Sequence, residues 1–419
     1  MQRMIHGHDV VIISSIEWSF LWQGPQEIAT RLARAGNRVL YIENTGIRTP
    51  KLRDARRITY RAISCGRHLS TQGLRNISDN LHLCSPIVLP PSGPAWQRRL
   101  NRRIFLPMIK RAVETLAIRD PLIISFLPTD TAVDLVRLLR TDKAVVIYYC
   151  AADFRELSYH AARLAKSEQE FLASSDLVLA QCDSLAEHCA RYAGNVHLIP
   201  YGVNLDALVP NNGEEVHHQA TIGNERRAPV IGYIGGLHRH VDLSLLTAMA
   251  EARPHWSWVC IGPAQTPLGR LAALPNVELH GQFEHADLAR HIERFDVGIV
   301  PYVNSPFTQT VVPTKVNEYL AMGKAVVSTA LPAVCSEPKW HGNVLTAEPD
   351  PERFISAIEH ALSLPRDVQA KAQRRSVAAQ SDWQARLEHI SDLIMKCVDQ
   401  KANKPKSRFL TRSASATHA

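Results

Sequence analysis

Long hydrophobic runs are missing from this 419-residue chain. No uninterrupted apolar stretch approaches the ~20 residues a spanning helix needs, so no transmembrane segment is expected. The first residues, Met1 to Asp9, lack the apolar core of a signal peptide and lead straight into a strand. The eight cysteines (Cys65, Cys84, Cys150, Cys182, Cys189, Cys260, Cys335, Cys397) form no Cys-x-x-Cys pair and no His/Cys cluster at ligand spacing. That pattern predicts free thiols in a reducing cytoplasm and no zinc site. Acidic residues are scarce in one region. From Arg48 to Arg111 there are fourteen Lys and Arg against Asp54 and Asp79 alone. Nucleic acid is not the expected partner of this region, which carries no recognisable binding motif and few aromatics for stacking. The segment Trp96-Gln97-Arg98-Arg99-Leu100-Asn101-Arg102-Arg103-Ile104-Phe105-Leu106 instead reads as a basic amphipathic stretch suited to an anionic membrane surface, with a solvated basic face as the plain alternative. What is present is globular: 45% hydrophobic and 21% charged, in a chain long enough for two domains.

Short apolar runs alternate with helical patterns twice over. Asp9 to Ser14 and Arg38 to Glu43 are strands around a helix over Gln26 to Ala35, and further strands fall at Leu81–Leu83, Leu122–Phe126, Ala144–Tyr149, Leu177–Ala180 and Val196–Ile199. The polar run from Asn211 to Pro229 has no apolar period and reads as a linker. The series then restarts at Val230-Ile231-Gly232-Tyr233-Ile234-Gly235-Gly236, whose glycine pair lets backbone N–H groups approach a phosphate closely. Strands at Trp258–Ile261, Val277–Gln282 and Phe295–Tyr302 follow. Two such series predict an α/β chain of two doubly wound parallel sheets, which bind ligands at their carboxyl edges. Asp153, just after the Ala144–Tyr149 strand, stands where such a domain places a general base or a substrate ligand; capping the next helix is the alternative.

The densest signal is Pro313 to Ser328, which reads as loop, helix, turn and strand. Pro313 breaks the chain, Thr314 can cap, and Val316, Tyr319 and Leu320 share an apolar face. Gly323 ends the helix, and Ala325 to Val327 is a buried-strand run. Lys315 and Glu318 lie three apart at the helix start, where a cation can hold a diphosphate while the carboxylate accepts from sugar hydroxyls; an ordinary surface ion pair is the alternative.

The run Pro313-Thr314-Lys315-Val316-Asn317-Glu318-Tyr319-Leu320-Ala321-Met322-Gly323 resembles the nucleotide-sugar signature of GT-B glycosyltransferases, the family 4-like bacterial group in particular. The resemblance implies the GT-B architecture, two Rossmann-like domains facing a cleft. It divides the chain into an acceptor domain (1–205), a linker (206–229), a donor domain (230–380), a helix crossing back to the first domain (381–400) and a disordered tail (401–419). It also implies that Glu318 holds the donor ribose. Gly235, Gly236, Arg239, His240, Pro313, Thr314 and Lys315 would complete the donor site, with Lys315 and Arg239 stabilising the departing diphosphate. Asp153 matches an aspartate assigned as the base in related inverting glucuronosyltransferases; in a retaining reaction, as in family 4, it would only orient the acceptor or steady the cation, and the sequence leaves both open. Ser14-Ser15-Ile16-Glu17-Trp18 and Trp22-Gln23-Gly24-Pro25-Gln26 resemble the opening of the bacterial relatives, and sugars are bound by such mixtures of rings, amides and carboxylates. Glu17, Trp18, Trp22, Gln23 and Gln26 are therefore acceptor-site candidates. The expected substrates are a UDP- or GDP-sugar and a glycan or lipid-linked acceptor of cell-surface polysaccharide. No cofactor is expected and, without an Asp-x-Asp in a suitable loop, no metal. The expected location is the cytoplasm, peripheral to the inner membrane face through residues 48–111. One departure stands out: the family's first glutamate, eight residues before the second, is Thr310 here. A nucleotide-sugar epimerase and a catalytically decayed binding protein are the alternatives.

Overall fold

The computed structural model describes residues 4–43, 74–86, 88–89, 93–158, 160–208, 227–284 and 287–403. Basic residues 48–73, most of the expected linker (209–226) and most of the expected tail (404–419) lie outside them.

The first sheet contains β1 (Asp9–Ile13), β2 (Arg38–Ile42), β3 (Leu74–Ser78), β4 (Leu81–Cys84), β5 (Leu122–Ser125), β6 (Val145–Cys150), β7 (Leu177–Ala180) and β8 (Val196–Leu198). Its order is β3-β4-β2-β1-β5-β6-β7-β8, parallel except for the β3–β4 pair. The second sheet is wholly parallel: β9 (Val230–Ile234), β10 (Ser257–Ile261), β11 (Val277–His280), β12 (Val297–Val300), β13 (Ala325–Thr329) and β14 (Val344–Ala347), in the order β11-β10-β9-β12-β13-β14. These central strands are apolar without alternation because helices cover both faces. In β1, Val10 and Ile12 enter one core and Val11 and Ile13 the other, as the two-residue period of a strand requires. Strand order reverses beside β1 and beside β9. The loops leaving those strands, and their neighbours, therefore open onto crevices where ligands bind.

The last helix, Trp383–Ala402, belongs to the first domain's core although it follows the second domain in sequence. Trp383, Leu387, Ile390, Ile394 and Cys397, spaced three or four apart, pack with β1, β2 and β5 residues. Each large side chain so buried contributes roughly 1.5–3 kcal/mol. Ser391 Oγ accepts from Ile5 N–H at 3.2 Å, and Lys401 pairs with Asp176 at 2.7 Å. The helix runs to Ala402, past the expected boundary at 400, because this pairing anchors its last turn. The two chain crossings between domains are tied together. Val203 N–H donates to Ser381 O at 2.8 Å, Trp383 N–H donates to Val203 O at 3.1 Å, and a Cβ on Gly202 would come within 2.7 Å of the Trp383 ring.

Candidate functional site

The carboxyl edges of the two sheets meet across a cleft. A Cβ on Gly236 would lie 3.4 Å from Leu21 of the first domain, and Gln282 Nε2 donates to Ser19 O at 3.3 Å. Deeper in, Asp153 N–H donates to Thr310 Oγ1 at 3.4 Å and Cys182 Sγ to Thr310 O at 3.5 Å. Thr310 thus touches the first domain at the position where the resemblance expects a carboxylate.

On the second domain's wall, the helix Lys315–Ala321 buries Val316, Tyr319 and Leu320, as their spacing predicts. Tyr319 OH accepts from Ile234 N–H at 2.9 Å and donates to Ile299 O at 3.3 Å, fixing the helix on β9 and β12. Gly298 makes room for the Tyr319 ring, since a Cβ there would come within 2.5 Å of it. Gly323 ends the helix at φ 70°, the left-handed geometry its glycine suits. Lys315 does not pair with Glu318. Its Nζ donates to Tyr302 OH at 2.8 Å and lies 5.5 Å and 5.4 Å from the Tyr233 and Tyr302 ring centroids. Burial pushes the Tyr233 phenol well above its ordinary pKa, and its hydroxyl donates to Gly236 O at 3.1 Å. The carboxylate of Glu318, half-buried, makes no hydrogen bond or ion pair among the described residues.

Two expectations for this wall need correction. Gly235 does not offer its amide, which donates to Ile261 O at 2.8 Å in continuation of the sheet. The residue is needed for another reason: its φ is 115°, and a Cβ would stand 2.6 Å from Lys315 Cε. Gly235 is the gap through which Lys315 passes. Gly236 N–H, by contrast, has no partner among the described residues. Thr314 sits in helical geometry and its side chain makes no capping bond, because Pro313 is buried and the chain enters the helix without an extended cap residue. Arg239 is exposed, with Nε donating to His240 Nε2 at 3.2 Å, while the His240 ring packs on Phe307 with centroids 4.3 Å apart.

On the first domain's wall, much of the aromatic loop after β1 is occupied in holding itself. Gln26 is fully buried, accepting from Gln23 N–H at 3.1 Å and donating to Leu21 O at 3.2 Å. It is a structural residue and not an acceptor ligand, since its amide satisfies loop backbone that burial would otherwise strand. Trp22 Nε1 donates to Glu27 Oε2 at 2.6 Å, and Glu27 in turn pairs with Arg31 at 2.6 Å. Trp18 meets Trp22 and Tyr41 edge-on at 5.6 Å and 5.2 Å, while its N–H donates to Glu43 at 2.7 Å. Burial raises the Glu43 pKa against the opposing hydrogen bonds from Ser85 and Trp18. Glu17 and Trp18 remain half-buried at the loop, and Gln23 is exposed.

Asp153 caps the short 3₁₀ helix Phe154–Leu157 by accepting from Arg155 N–H at 3.0 Å. The Arg155 guanidinium also grips the carboxylate twice, at 2.8 Å and 2.5 Å. Burial alone would raise the Asp153 pKa, but the hydrogen bonds and charge of Arg155 outweigh it and hold the group below the usual aspartate range. A carboxylate so stabilised is a weaker base than a free one, which favours the orienting role of Asp153 over the general-base role. Behind it, buried Glu168 accepts from Tyr148 OH at 3.2 Å and meets His188 Nε2 at 3.1 Å. Sequence reasoning missed Arg155, Cys182 and the Thr310 contact. Only the two-residue spacing from Asp153 signalled Arg155. Among the described residues no group of three or more His, Cys, Asp or Glu could hold a metal ion, and no helix is long and apolar enough to cross a membrane.

Residues 228–363 match the family model described as Glycosyl transferases group 1. The chain is 32% identical over 192 residues to the Bacillus subtilis (strain 168) protein named "Putative teichuronic acid biosynthesis glycosyltransferase TuaH"; the match covers 45% of this chain and spans about half, 48%, of that relative. Among solved structures it is similar to sucrose-phosphate synthase of Thermosynechococcus elongatus (TM-score 0.68, 17% identity, 94% of this chain and 100% of that one). It is also similar to Anabaena HepE, solved in complex with UDP and glucose (TM-score 0.61, 14% identity, 93% and 100%). With two parallel-sheet α/β domains closing on one cleft, this chain has the GT-B fold, and the family-model match falls within its second domain.

Proposed function

We propose that the protein is a glycosyltransferase that moves a sugar from a nucleoside-diphosphate donor, bound on the second domain, to a growing cell-surface polysaccharide acceptor bound on the first. The observation that carries this reading is the contrast at one helix start. Lys315 is threaded past Gly235 and braced by two tyrosines, and Glu318 beside it has no hydrogen-bond or ion-pair partner among the described residues. A braced cation next to an unpaired carboxylate suits a ligand that is anionic at one end and rich in hydroxyls at the other. The relative named for teichuronic acid biosynthesis and the neighbour solved with UDP and glucose support the same class.

In this reading Glu318 accepts from the ribose hydroxyls, while Lys315 Nζ and Gly236 N–H meet the diphosphate. Arg239 turns from His240 to join them. Sugar transfer develops positive charge at the anomeric carbon and negative charge on the departing diphosphate, so fixed donors aimed at the diphosphate are the main catalytic need. The Asp153–Arg155 pair is a neutral, rigid unit at the cleft floor that positions the acceptor. Trp18 and Glu17 offer a ring and a carboxylate to acceptor sugars.

Thr310 favours one second reading, a protein that binds the donor without transferring it, because a hydroxyl engaged with Asp153 N–H replaces a carboxylate at the reaction centre. Incubating the purified protein with UDP- and GDP-sugars and acceptor glycans separates the two. Acceptor-dependent release of nucleotide is the expected result. Saturable donor binding with no turnover on any acceptor supports the second reading, and free epimerised donor overturns both.

A further inference from the structure

Six of the cations between Arg48 and Arg111 lie on one helix, Ala95–Thr115, and the fold divides them by face. Arg98 and Arg102, four apart, both turn inward and grip the Asp134 carboxylate, at 2.8–2.9 Å and 2.6–2.7 Å. The Asp134 side chain is only 4% exposed, so these two of the arginines in residues 48–111 are structural and not part of a membrane-facing surface. Phe105, Ile109 and Ala112 are buried on the same side.

The opposite side is different. At about 100° per residue, Trp96, Arg99, Leu100, Arg103, Ile104 and Arg111 fall within an arc of about 140°. Trp96 and Ile104 are each 58% exposed and Leu100 is 37% exposed. Three of the nine exposed large hydrophobic side chains among the described residues therefore share this one face. Arg99, Arg103 and Arg111 are exposed between and beside them. The single acid of the helix, Glu114, and Lys110, 3.9 Å from it, fall in the same arc but in the last two turns, beyond the Trp96–Ile104 segment. From Trp96 to Ile104 this face carries arginines and no acid, and it presents a tryptophan, a leucine and an isoleucine to solvent. Rings and aliphatic chains flanked by guanidinium groups match the boundary between lipid tails and anionic headgroups.

We propose that this face of the helix Ala95–Thr115 seats the protein on an anionic lipid bilayer, with Trp96, Leu100 and Ile104 entering the headgroup boundary and Arg99, Arg103 and Arg111 meeting lipid phosphates. The helix follows the carboxyl end of β4, so its Trp96 end lies at the edge of the first sheet that also carries the loop after β1 and Asp153. The cleft mouth would then open near the membrane, where a lipid-borne acceptor is presented. Only that last consequence rests on the transferase reading; the lipid contact does not.

The test is co-sedimentation of the full chain with mixed phosphatidylglycerol–phosphatidylcholine vesicles and with pure phosphatidylcholine vesicles, alongside titration of a UDP-sugar. Binding is expected to the mixed vesicles alone and to weaken as salt shortens the electrostatic range. Arg99→Gln with Arg103→Gln should weaken it by about fivefold per cation removed. Trp96→Ser with Ile104→Ser should abolish it, whereas Val368→Ser, which removes a side chain 84% exposed elsewhere, should leave it unchanged. Donor affinity should be the same in all three variants. No binding even in low salt overturns the proposal. So does binding that survives both paired variants, or a preference for nucleic acid over vesicles that the same variants remove. A failure of donor binding with lipid binding intact would instead count against the transferase reading alone.

Discussion

Substituting Gly235 by Ala is the most searching perturbation of the second domain's wall, because the residue acts only through a neighbour. Two costs arise together. The backbone sits at φ 115°, where a side chain is strained by roughly 1–3 kcal/mol. The new methyl group would also stand 2.6 Å from Lys315 Cε and 3.0 Å from Nζ. The lysine is the softer partner, so it must leave the Tyr302 hydroxyl, to which it donates at 2.8 Å. If that ammonium meets the donor diphosphate, its displacement removes a charge-assisted hydrogen bond of about 1.5–3 kcal/mol, a loss of roughly 10- to 150-fold in donor affinity. Lys315→Met should lose a similar factor without the backbone strain. The decisive comparison is the double variant. If Gly235 works by giving Lys315 passage, adding Gly235→Ala to Lys315→Met should cost little further affinity, although it should still lower the melting temperature. Calorimetric titration of a UDP- or GDP-sugar into the four proteins reads this directly. Losses that simply add would refute the coupling, and unchanged affinity in Gly235→Ala would refute the role of Lys315 as placed.

Three further outcomes are expected. Asp153→Asn should reduce turnover by less than the ~10²–10⁴ a general base supplies, measured as nucleotide release with saturating acceptor; a loss at or above that range would restore the base assignment. Arg155→Gln should raise the Asp153 pKa, followed by NMR titration of the carboxyl group. A depressed folded-state pKa stabilises the fold above the unfolded-state value and is lost as pH falls through the folded one, so this variant should also lose its advantage in acid earlier than the parent. An unmoved titration would deny that Arg155 holds the group. Gly202→Ala places a Cβ 2.7–2.9 Å from Trp383, so it should destabilise the seat of the crossing helix by about 1–3 kcal/mol in thermal unfolding, with a wild-type melting curve as the contrary result.

The sheets were legible because strands buried on both faces read as unbroken apolar runs, and the Val316–Tyr319–Leu320 face because its period is helical. Strands β3 and β14 were not read. Leu74–Ser78 is largely exposed and pairs only along one edge, and Val344–Ala347 is only partly buried at the far edge of its sheet, so neither shows a sustained apolar run. At the site, residue type indicated chemistry but not engagement. Asp153 and Gln26 belong to suitable classes, yet Arg155 holds one and the buried loop backbone occupies the other. Gly235 was singled out for its amide, whereas the structure uses its missing side chain, because a close approach from a lysine eighty residues away leaves no trace in local sequence. The division of the arginines on Ala95–Thr115 likewise depended on where Asp134 lies in the fold.

The claim on which the rest stands is that an unpaired glutamate beside a braced lysine holds the nucleotide of an activated sugar. Titrating UDP- and GDP-sugars into the parent protein and into Glu318→Ala tests it most directly. The expected result is saturable donor binding by the parent and none by the variant, with the two unfolding at the same temperature. Equal affinity in both proteins would contradict it.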